Sequence, residues 1–322
     1  MLKKLCPLLI FFLSFYFSST LIGNESTHKY FPSTLGSFWV YEDQDGNEFT
    51  RKIIETEEIT GETYYNFSYE PMLEDWKDFH RYMHLSLFNV GEEWITFVVG
   101  DEIKKAVAAR LTREMEIFSK LAKSSLENSA PAELDLTVDF NYNVEVEAED
   151  DFNLLPTETS SDEEWEATQI NAKITMKFDI QGLPDFQNAA DIPEMTVDFS
   201  IIETGKILGT ETVETPAGTF DDCLKIEYRT KTEMIASDPS GTGTEDLPGE
   251  SVTTLWFAPN IGIVKFHQET EKIFLNMLST RDAIEKYVSD EEAAEITASS
   301  VKTYELKKYK IVPEVLPNDD NK

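Results

Sequence analysis

The sequence predicts an α+β chain dominated by one antiparallel β-sheet. Apolar and polar residues alternate with a period of two through most of the chain, a pattern typical of strands with one buried and one solvent-exposed face. Only two segments, Asp101 to Glu127 and Arg281 to Ser299, have the three-to-four-residue spacing of an amphipathic helix. Hydrophobic residues make up 41% of the 322 residues, which is enough to build the core of one large domain, residues 24–322.

The predicted strands are joined by tight turns. Asp45-Gly46 and Thr60-Gly61 lie between alternating runs, where glycine can adopt the positive φ of a hairpin turn. The clearest run has six apolar residues in phase from Ile170 to Ile180, and Leu134 to Phe140 alternates in the same way. The other predicted strands cover residues 36–42, 49–57, 63–69, 195–203, 206–215, 223–235, 252–258, 262–271, 272–279 and 303–312.

The two predicted helices differ in strength. In the first, which begins at Asp101, apolar residues from Ile103 to Ala122 recur at intervals of three and four and therefore share one face. Aspartate is also a preferred residue at a helix N-terminus. The second, Arg281 to Ser299, has weaker periodicity and an interruption near Ser289, so we expect a shorter, broken C-terminal helix.

Residues 1–23 are predicted to be a secretory signal peptide. Lys3 and Lys4 precede an apolar run from Leu5 to Phe17, and small and polar residues follow as far as Gly23. The run is shorter than the ~20 residues of a membrane span. We therefore expect an exported protein, periplasmic or extracellular, with no integral membrane span in the mature chain. Cys6 precedes the apolar run, so we expect no lipid anchor.

The charge balance excludes one class of partner. The chain has 61 acidic residues against 28 Lys and Arg, a net charge of −33. Nucleic acids and anionic membrane surfaces are bound by basic patches, so neither is a predicted partner. Because mutual repulsion keeps strongly charged proteins apart, we also expect a monomer.

Two segments are predicted to be loops. Residues 143–167 are rich in acidic residues and contain no Lys or Arg, which is typical of a solvated, self-repelling loop. Residues 236–250, ASDPSGTGTEDLPGE with its first residue Ala236, consist mainly of turn-forming residues and predict a flexible connection between two long strands.

Three patches resemble a group of exported bacterial proteins of unknown function. They are Tyr30 to Tyr41 (YFPSTLGSFWVY), Gly209 to Ile226 with its PAGTF turn, and Leu255 to Phe266 with the motif WFAPNIGIVK, in the order found in that group. Related exported domains resemble the lipoprotein-carrier architecture. The resemblance implies a strongly curved, half-barrel-like sheet packed on the long helix, with an apolar cleft between them. On the residues alone, the Pro and Gly turns in these patches are interpreted as determinants of the fold.

No recognised catalytic motif occurs in the sequence. It has no G-x-S-x-G, no C-x-x-C and no glycine-rich phosphate loop, so we predict a protein that is not an enzyme, with no catalytic residue and no cofactor. Cys223 alternates with neighbouring polar residues and is interpreted as a buried, unreactive thiol. The stretch Asp43 to Glu48 resembles a calcium loop but lacks its terminal bidentate glutamate, and a hairpin turn explains it better.

His80 and His84 form the strongest metal candidate. On a helix, residues four apart share a face, and Glu74 or Asp78 could add an oxygen ligand. The surrounding sequence lacks H-E-x-x-H, so a partly buried structural pair is the preferred interpretation. A weak metal site remains the alternative, and we assign no metal ligand.

The sequence therefore predicts a binding protein. The leading hypothesis is a soluble exported protein that binds a lipid-like or other hydrophobic small molecule in a cleft between the sheet and the helix. The alternative is a non-catalytic structural or interaction module that contacts another envelope protein through exposed strands or acidic loops.

Overall fold

A computed structural model describes residues 27–74, 76, 79–129, 137–158, 164–181, 194–236, 244–271, 289 and 300–313. The predicted signal peptide and the predicted strand 272–279 lie outside these residues, as does the predicted C-terminal helix apart from Ser289. The helical elements are a 3-10 turn (Thr27–Tyr30), α1 (Arg81–His84) and α2 (Asp101–Ser129). The strands are β1 (Phe38–Asp43), β2 (Glu48–Ile59), β3 (Glu62–Glu70), β4 (Leu87–Val90), β5 (Trp94–Val98), β6 (Thr137–Ala148), β7 (Asp151–Pro156), β8 (Glu164–Gln181), β9 (Met195–Thr215), β10 (Gly218–Ala236), β11 (Thr244–Ala258), β12 (Gly262–Thr270) and β13 (Ser300–Lys310).

These strands form a single sheet in which every pair is antiparallel. Its order is β6-β8-β9-β10-β11-β12-β13-β1-β2-β3-β4-β5-β7. The two edge strands, β6 and β7, are separated in sequence only by Glu149 and Asp150. The Glu149 N–H donates to the Gln169 carbonyl of β8, and the Asp150 carbonyl accepts from the Val99 N–H that follows β5. Because this link bonds to strands at both ends of the order, the sheet curves until its edges lie close together.

This architecture corrects the predicted fold class. The α+β prediction, with a sheet supported by two helices, is wrong because the sheet dominates and buries its inner face mainly against itself. Most of the main hydrophobic cluster comes from strands and from the segment around α1, while Ile103 is its only fully buried contribution from α2. The helix predicted from Asp101 is confirmed as α2, and no helix follows β12 within the described residues. None of the described helices is long and apolar enough to cross a membrane.

The two predicted loops also differ from the structure. Much of the acidic segment 143–167 is strand, divided among β6, β7 and β8. In β6 the charged residues Glu145 and Glu147 are exposed while Val144 and Val146 alternate with them on the half-buried face, so the negative charge is compatible with a strand. At the second loop, β10 ends at Ala236 and β11 already begins at Thr244. Residues 237–243 lie outside the described residues.

The interior of the sheet contains two hydrophobic clusters. The main cluster is rich in aromatic rings, such as Phe67 and Phe88 with centroids 4.6 Å apart and Phe31 and Phe88 with centroids 5.1 Å apart. The second cluster is smaller and joins α2 to β8 and β9. Its buried members are Leu111, Met115, Ala172, Ile174, Met176 and Phe199.

Candidate functional site

The candidate binding site is a set of partly exposed apolar residues beside the second cluster, here called the helix–sheet trough. It consists of Phe118 and Leu126 from α2, Phe140 and Tyr142 from β6, Phe178 from β8 and Met195 from β9. Phe140 lies opposite Phe178 in the β6–β8 pair, with ring centroids 4.7 Å apart. Phe118 approaches the same ring from the helix, with a centroid distance of 5.7 Å.

The local sequence explains why these side chains converge. Residues two apart on a strand share a face, so Phe140 and Tyr142 point to the same side of β6. Leu126 follows Met115 by about three helical turns and therefore lies on the same face of α2. The trough floor is the buried second cluster, whereas Leu126 is 37% exposed and Met195 is 45% exposed. Such a partly covered apolar surface can bind an apolar ligand through dispersion and the hydrophobic effect.

A row of buried polar residues crosses the sheet next to the trough floor. Thr168, Glu203, Thr230 and Ser251 lie directly opposite one another on β8, β9, β10 and β11. Ser251 in turn lies opposite Thr270 on β12, with their hydroxyl oxygens 2.9 Å apart. Glu203 is four residues from Phe199 of the floor, a distance of about 13 Å along β9. Glu203 is eight residues from Met195 of the trough, about 26 Å along β9. The strand register thus forms a continuous buried polar surface beyond the trough floor and apart from the trough itself.

The centre of this row is an ion pair. Arg81 of α1 pairs with Glu203, which is 1% exposed. Burial raises the pKa of Glu203, and the charge and hydrogen bond of Arg81 act in the opposite direction. Near this pair the buried hydroxyls of Tyr82, Thr168 and Thr232 have no hydrogen-bond partner among the described residues. Since buried hydroxyls in native proteins nearly always bond to protein or water, these atoms can bond to water or to a polar ligand group.

The structure brings His80 and His84 together, and both make hydrogen bonds within the folded protein. His80 precedes α1 and His84 ends it, with ring centroids 5.9 Å apart. The backbone N–H of His80 donates to Nδ1 of His84 at 2.9 Å, while Nδ1 of His80 lies 3.0 Å from Oε1 of Gln268. Burial lowers the pKa of His80 to about 4 and that of His84 to about 3. Both rings are therefore neutral near pH 7.

The described residues give this histidine pair no third metal ligand. No group of three or more His, Cys, Asp or Glu residues that could hold a metal ion occurs among them. Asp78, one of the two candidate oxygen ligands, lies outside the described residues. Glu74, the other, is described but joins no such group.

Cys223 is buried, as the alternation of apolar and polar residues around it predicted. Its thiol is buried and donates to the Phe220 carbonyl at 3.3 Å. Burial raises the pKa of the thiol to about 11, so it is not ionised near neutral pH and is a poor nucleophile.

The stretch from Asp43 to Glu48 is a hairpin between β1 and β2. One carboxylate oxygen of Asp43 accepts from the backbone N–H groups of Asp45 and Asn47, both at 2.9 Å. The other accepts from the Lys302 ammonium at 2.7 Å. Burial by itself raises the pKa of Asp43, but these hydrogen bonds lower it to about 2. The carboxylate therefore stabilises the turn.

The three sequence patches contact one another through side-chain hydrogen bonds. The Trp39 indole N–H donates to the Ile261 carbonyl at 2.5 Å, joining the first patch to the third. The Tyr30 hydroxyl donates to the carbonyl of Asp222, just beyond the PAGTF turn, at 3.4 Å. In the third patch Gly262 has a φ of +98°, which favours glycine at the turn into β12.

The residues predicted from the sequence do not include Arg51, Arg81 or Glu203. Two of these residues interrupt a series of inward-facing apolar residues, and this interruption is a sequence signal from which they could have been predicted. Arg51 lies between Phe49 and Ile53 on the inward face of β2, and Glu203 follows Ile201 on the inward face of β9. A charged residue at an inward position requires a partner or a ligand. Arg81 has no comparable signal because α1 is too short to show a period.

The chain is similar to a described protein family and to solved bacterial structures. A family model described as DUF3108-like matches residues 113–273, half of the chain. A candidate lipoprotein from Parabacteroides distasonis ATCC 8503 is 16% identical, with a TM-score of 0.33. A candidate exported protein with a YmcC-like fold from Bacteroides fragilis NCTC 9343 is 14% identical, with a TM-score of 0.32. Both alignments cover 87% of this chain and 98% of the other. No curated protein matches the chain.

Proposed function

The chain belongs to the DUF3108-like family, for which no function is established, and we propose that it is an exported, non-catalytic protein that binds the apolar chain of a lipid-like molecule in the helix–sheet trough. The resemblance of its three sequence patches to exported proteins of unknown function agrees with that membership. Residues 1–23, with the features of a signal peptide, support export to the periplasm or the extracellular space.

The difference between the two hydrophobic clusters supports this function. Phe88 and Phe97 in the main cluster are fully buried, as expected for a core that serves stability. The aromatic residues that β6 and β8 contribute to the trough, Phe140, Tyr142 and Phe178, lie on the inner face of the sheet but are only partly buried. Each methylene that a ligand buries against such a surface contributes about 0.8 kcal/mol. An apolar chain is therefore the ligand that this surface can stabilise most.

The shape of the site and the charge of the chain narrow the choice of ligand further. From Phe118 to Leu126 the helix rises about 12 Å, which favours an extended chain over a compact ligand. The net charge of −33 disfavours an anionic head group. We therefore expect an uncharged or zwitterionic single-chain lipid.

The proposal can be tested by native mass spectrometry. The mature protein, residues 24–322, is purified from its own host, and any bound mass is identified after organic extraction. The delipidated protein is then titrated with a monoacylglycerol, a lysophosphatidylcholine and a free fatty acid. We expect one bound equivalent, with the two lipids that carry no net charge preferred.

Two leucine variants make the test specific to the trough. Leu126→Glu places a charge in the trough at a partly exposed position, and we expect it to weaken binding about tenfold or more. Leu208→Glu is the matched control, because Leu208 is 47% exposed on the outer face of β9. The proposal is wrong if no lipid adduct forms, or if Leu126→Glu binds as tightly as Leu208→Glu.

A second candidate function is a non-catalytic interaction module of the cell envelope. β6 forms one end of the strand order, and among the described residues it pairs only with β8. An edge strand of twelve residues leaves backbone N–H and C=O groups free to pair with a strand of another protein. A photo-crosslinker at Asn141 of β6, used in the native envelope, should capture such a protein. Capture together with the absence of lipid binding would favour this function.

A further inference from the structure

Two exposed aliphatic side chains lie side by side where β1 begins. Leu35 is 50% exposed and Ile54 of β2 is 48% exposed. The pairing with β2 starts before β1, because the Gly36 N–H donates to the Ile53 carbonyl at 2.9 Å and the Ile53 N–H donates to the Ser37 carbonyl at 3.0 Å. These two bonds carry the register past the first residue of β1 and place Leu35 beside Ile54. Since Ile53 is fully buried and strand residues alternate between faces, Ile54 points to the outer face of the sheet.

Three exposed lysines border this pair. Phe38 of β1 lies directly opposite Lys52 of β2 on one side and Lys310 of β13 on the other. Two residues along β1, Val40 lies opposite Lys308 of β13. Phe38 and Val40 alternate with the buried residues of β1, so they share the outer face and are only partly buried there. The strand pairing thus assembles a surface, here called the basic apolar patch, that consists of Leu35, Phe38, Val40, Ile54, Lys52, Lys308 and Lys310.

The ammonium groups of the patch are available to another molecule. Within the described residues its three lysines form no ion pair. The carboxylates nearest along β13 and β2 already have other partners, since Glu305 pairs with Lys265 at 2.7 Å. Glu48 likewise pairs with Lys307 at 2.8 Å. Glu55, the exposed residue after Ile54, is the one carboxylate next to the patch on β2, and the lysines outnumber it.

We propose that the basic apolar patch docks the protein on the surface of an anionic lipid bilayer. The aliphatic side chains enter the head-group region, and the lysine side chains around them reach the lipid phosphates. An acidic peptide would engage the lysines but leave Leu35 and Ile54 exposed, whereas a bilayer uses both kinds of group. The patch is separate from the helix–sheet trough, because it is built from β1, β2 and β13 and not from α2, β6, β8 and β9.

The total charge of the chain does not reveal this surface. A net charge of −33 opposes the approach of the protein to an anionic surface. Charges more than about 8 Å from the contact are largely screened at physiological ionic strength, so the lysines of the patch dominate once they reach the lipid phosphates. Lys52 and Lys310 come from opposite ends of the sequence and meet only across β1.

The proposal is tested by vesicle flotation with the intact mature protein, residues 24–322. One set of vesicles contains phosphatidylcholine alone, and the other contains equal parts of phosphatidylcholine and phosphatidylglycerol. We expect binding to the mixed vesicles only, and a loss of binding as salt is raised, because salt screens the lysines. The trough variant Leu126→Glu should bind these vesicles as well as the wild type, which separates docking on a bilayer from lipid binding in the trough.

Lysine variants locate the contact. A lysine near an anionic surface is worth about fivefold in affinity, so the double variant Lys52→Gln/Lys310→Gln should bind the mixed vesicles about 20- to 30-fold more weakly. Lys173→Gln/Lys177→Gln is the charge-matched control, because both lysines are exposed on β8, and it should bind like the wild type. All four positions are exposed, so both variants should keep the melting temperature of the wild type.

Leucine variants test the apolar part of the patch. Leu35→Ser should weaken binding severalfold, whereas Leu208→Ser, at a position 47% exposed on the outer face of β9, should leave it unchanged. The proposal is overturned if the mixed vesicles bind no protein, or if the two double lysine variants bind equally well. Binding that is lost in Leu126→Glu would place the contact at the trough and overturn it too.

Discussion

Arg81 and Glu203 form an ion pair inside the sheet, between the short helix α1 and the centre of β9. Removing one partner from a buried pair leaves an uncompensated charge, at a typical cost of about 3 to 5 kcal/mol, whereas replacing both with apolar residues is often neutral. The pair as a whole therefore adds little net stability, but the loss of either partner alone is strongly destabilising.

The first prediction concerns Arg81→Met. We expect it to lower the free energy of unfolding by about 3 kcal/mol or more at about pH 8, and by less at about pH 5. Burial already raises the pKa of Glu203, and loss of Arg81 raises it further. A group whose folded-state pKa is raised loses stability as pH rises from its unfolded pKa through the folded one. Urea unfolding at the two pH values measures the difference.

The double variant Arg81→Met/Glu203→Leu is the control for this prediction. It removes both charges and should recover most of the stability lost in Arg81→Met. A double variant as unstable as the single one would show that the loss comes from packing around Arg81 and not from the unpaired carboxylate.

The second prediction concerns Gly205, over which the Trp165 indole lies. A Cβ atom at Gly205 would come within 2.4 Å of the Trp165 ring, which is held by a hydrogen bond to the Asn153 carbonyl. Gly205→Ala should therefore cost about 1 to 3 kcal/mol, because the ring must move. Lys206→Ala, at the next, exposed position of β9, should change stability by less than about 0.5 kcal/mol. Equal effects of the two substitutions in thermal unfolding would contradict the role of Gly205.

Gly205 also shows why the sequence predicted some elements and not others. The long alternation around Ile174 and the apolar stripe of α2 are periodic signals within one segment, and both predicted their elements. A glycine within an alternating run predicts an interruption of the strand. The sequence therefore predicts two strands, 195–203 and 206–215, where the structure has the single strand β9. The reason for the glycine is the Trp165 ring on the neighbouring strand, which local sequence does not encode.

The polar row and the ion pair were missed for the same reason. Thr168, Thr230 and Ser251 are unremarkable strand residues when each is considered alone. They become a continuous buried surface only through the register of four strands, which depends on pairing between distant segments. The resemblance of the three sequence patches implies a cleft between helix and sheet, but it does not identify the residues of the proposed helix–sheet trough.

The third prediction concerns the reactivity of Cys223. Because the thiol is buried and its pKa is raised to about 11, Ellman's reagent should leave it unmodified in the native protein. In urea the mature chain should release one equivalent, since Cys6 lies within the predicted signal peptide. Rapid native labelling at neutral pH would show that the thiol is accessible. Cys223→Ser should cost about 1 to 3 kcal/mol, because it buries a hydroxyl in place of a thiol.

The last prediction concerns the pH dependence of stability and His80. Burial lowers its pKa from 6.5 to about 4, so between these values the unfolded chain binds a proton that the folded chain does not. Stability must then fall as pH is lowered through this window, by on the order of 1 to 3 kcal/mol for this group. His80→Gln keeps a polar partner for Gln268 without this titration. We expect the slope of the unfolding free energy against pH to be smaller in His80→Gln by up to one proton, with the contribution of His84 retained. Urea unfolding across the window measures both slopes, and identical slopes would mean that His80 titrates alike in the folded and unfolded chains.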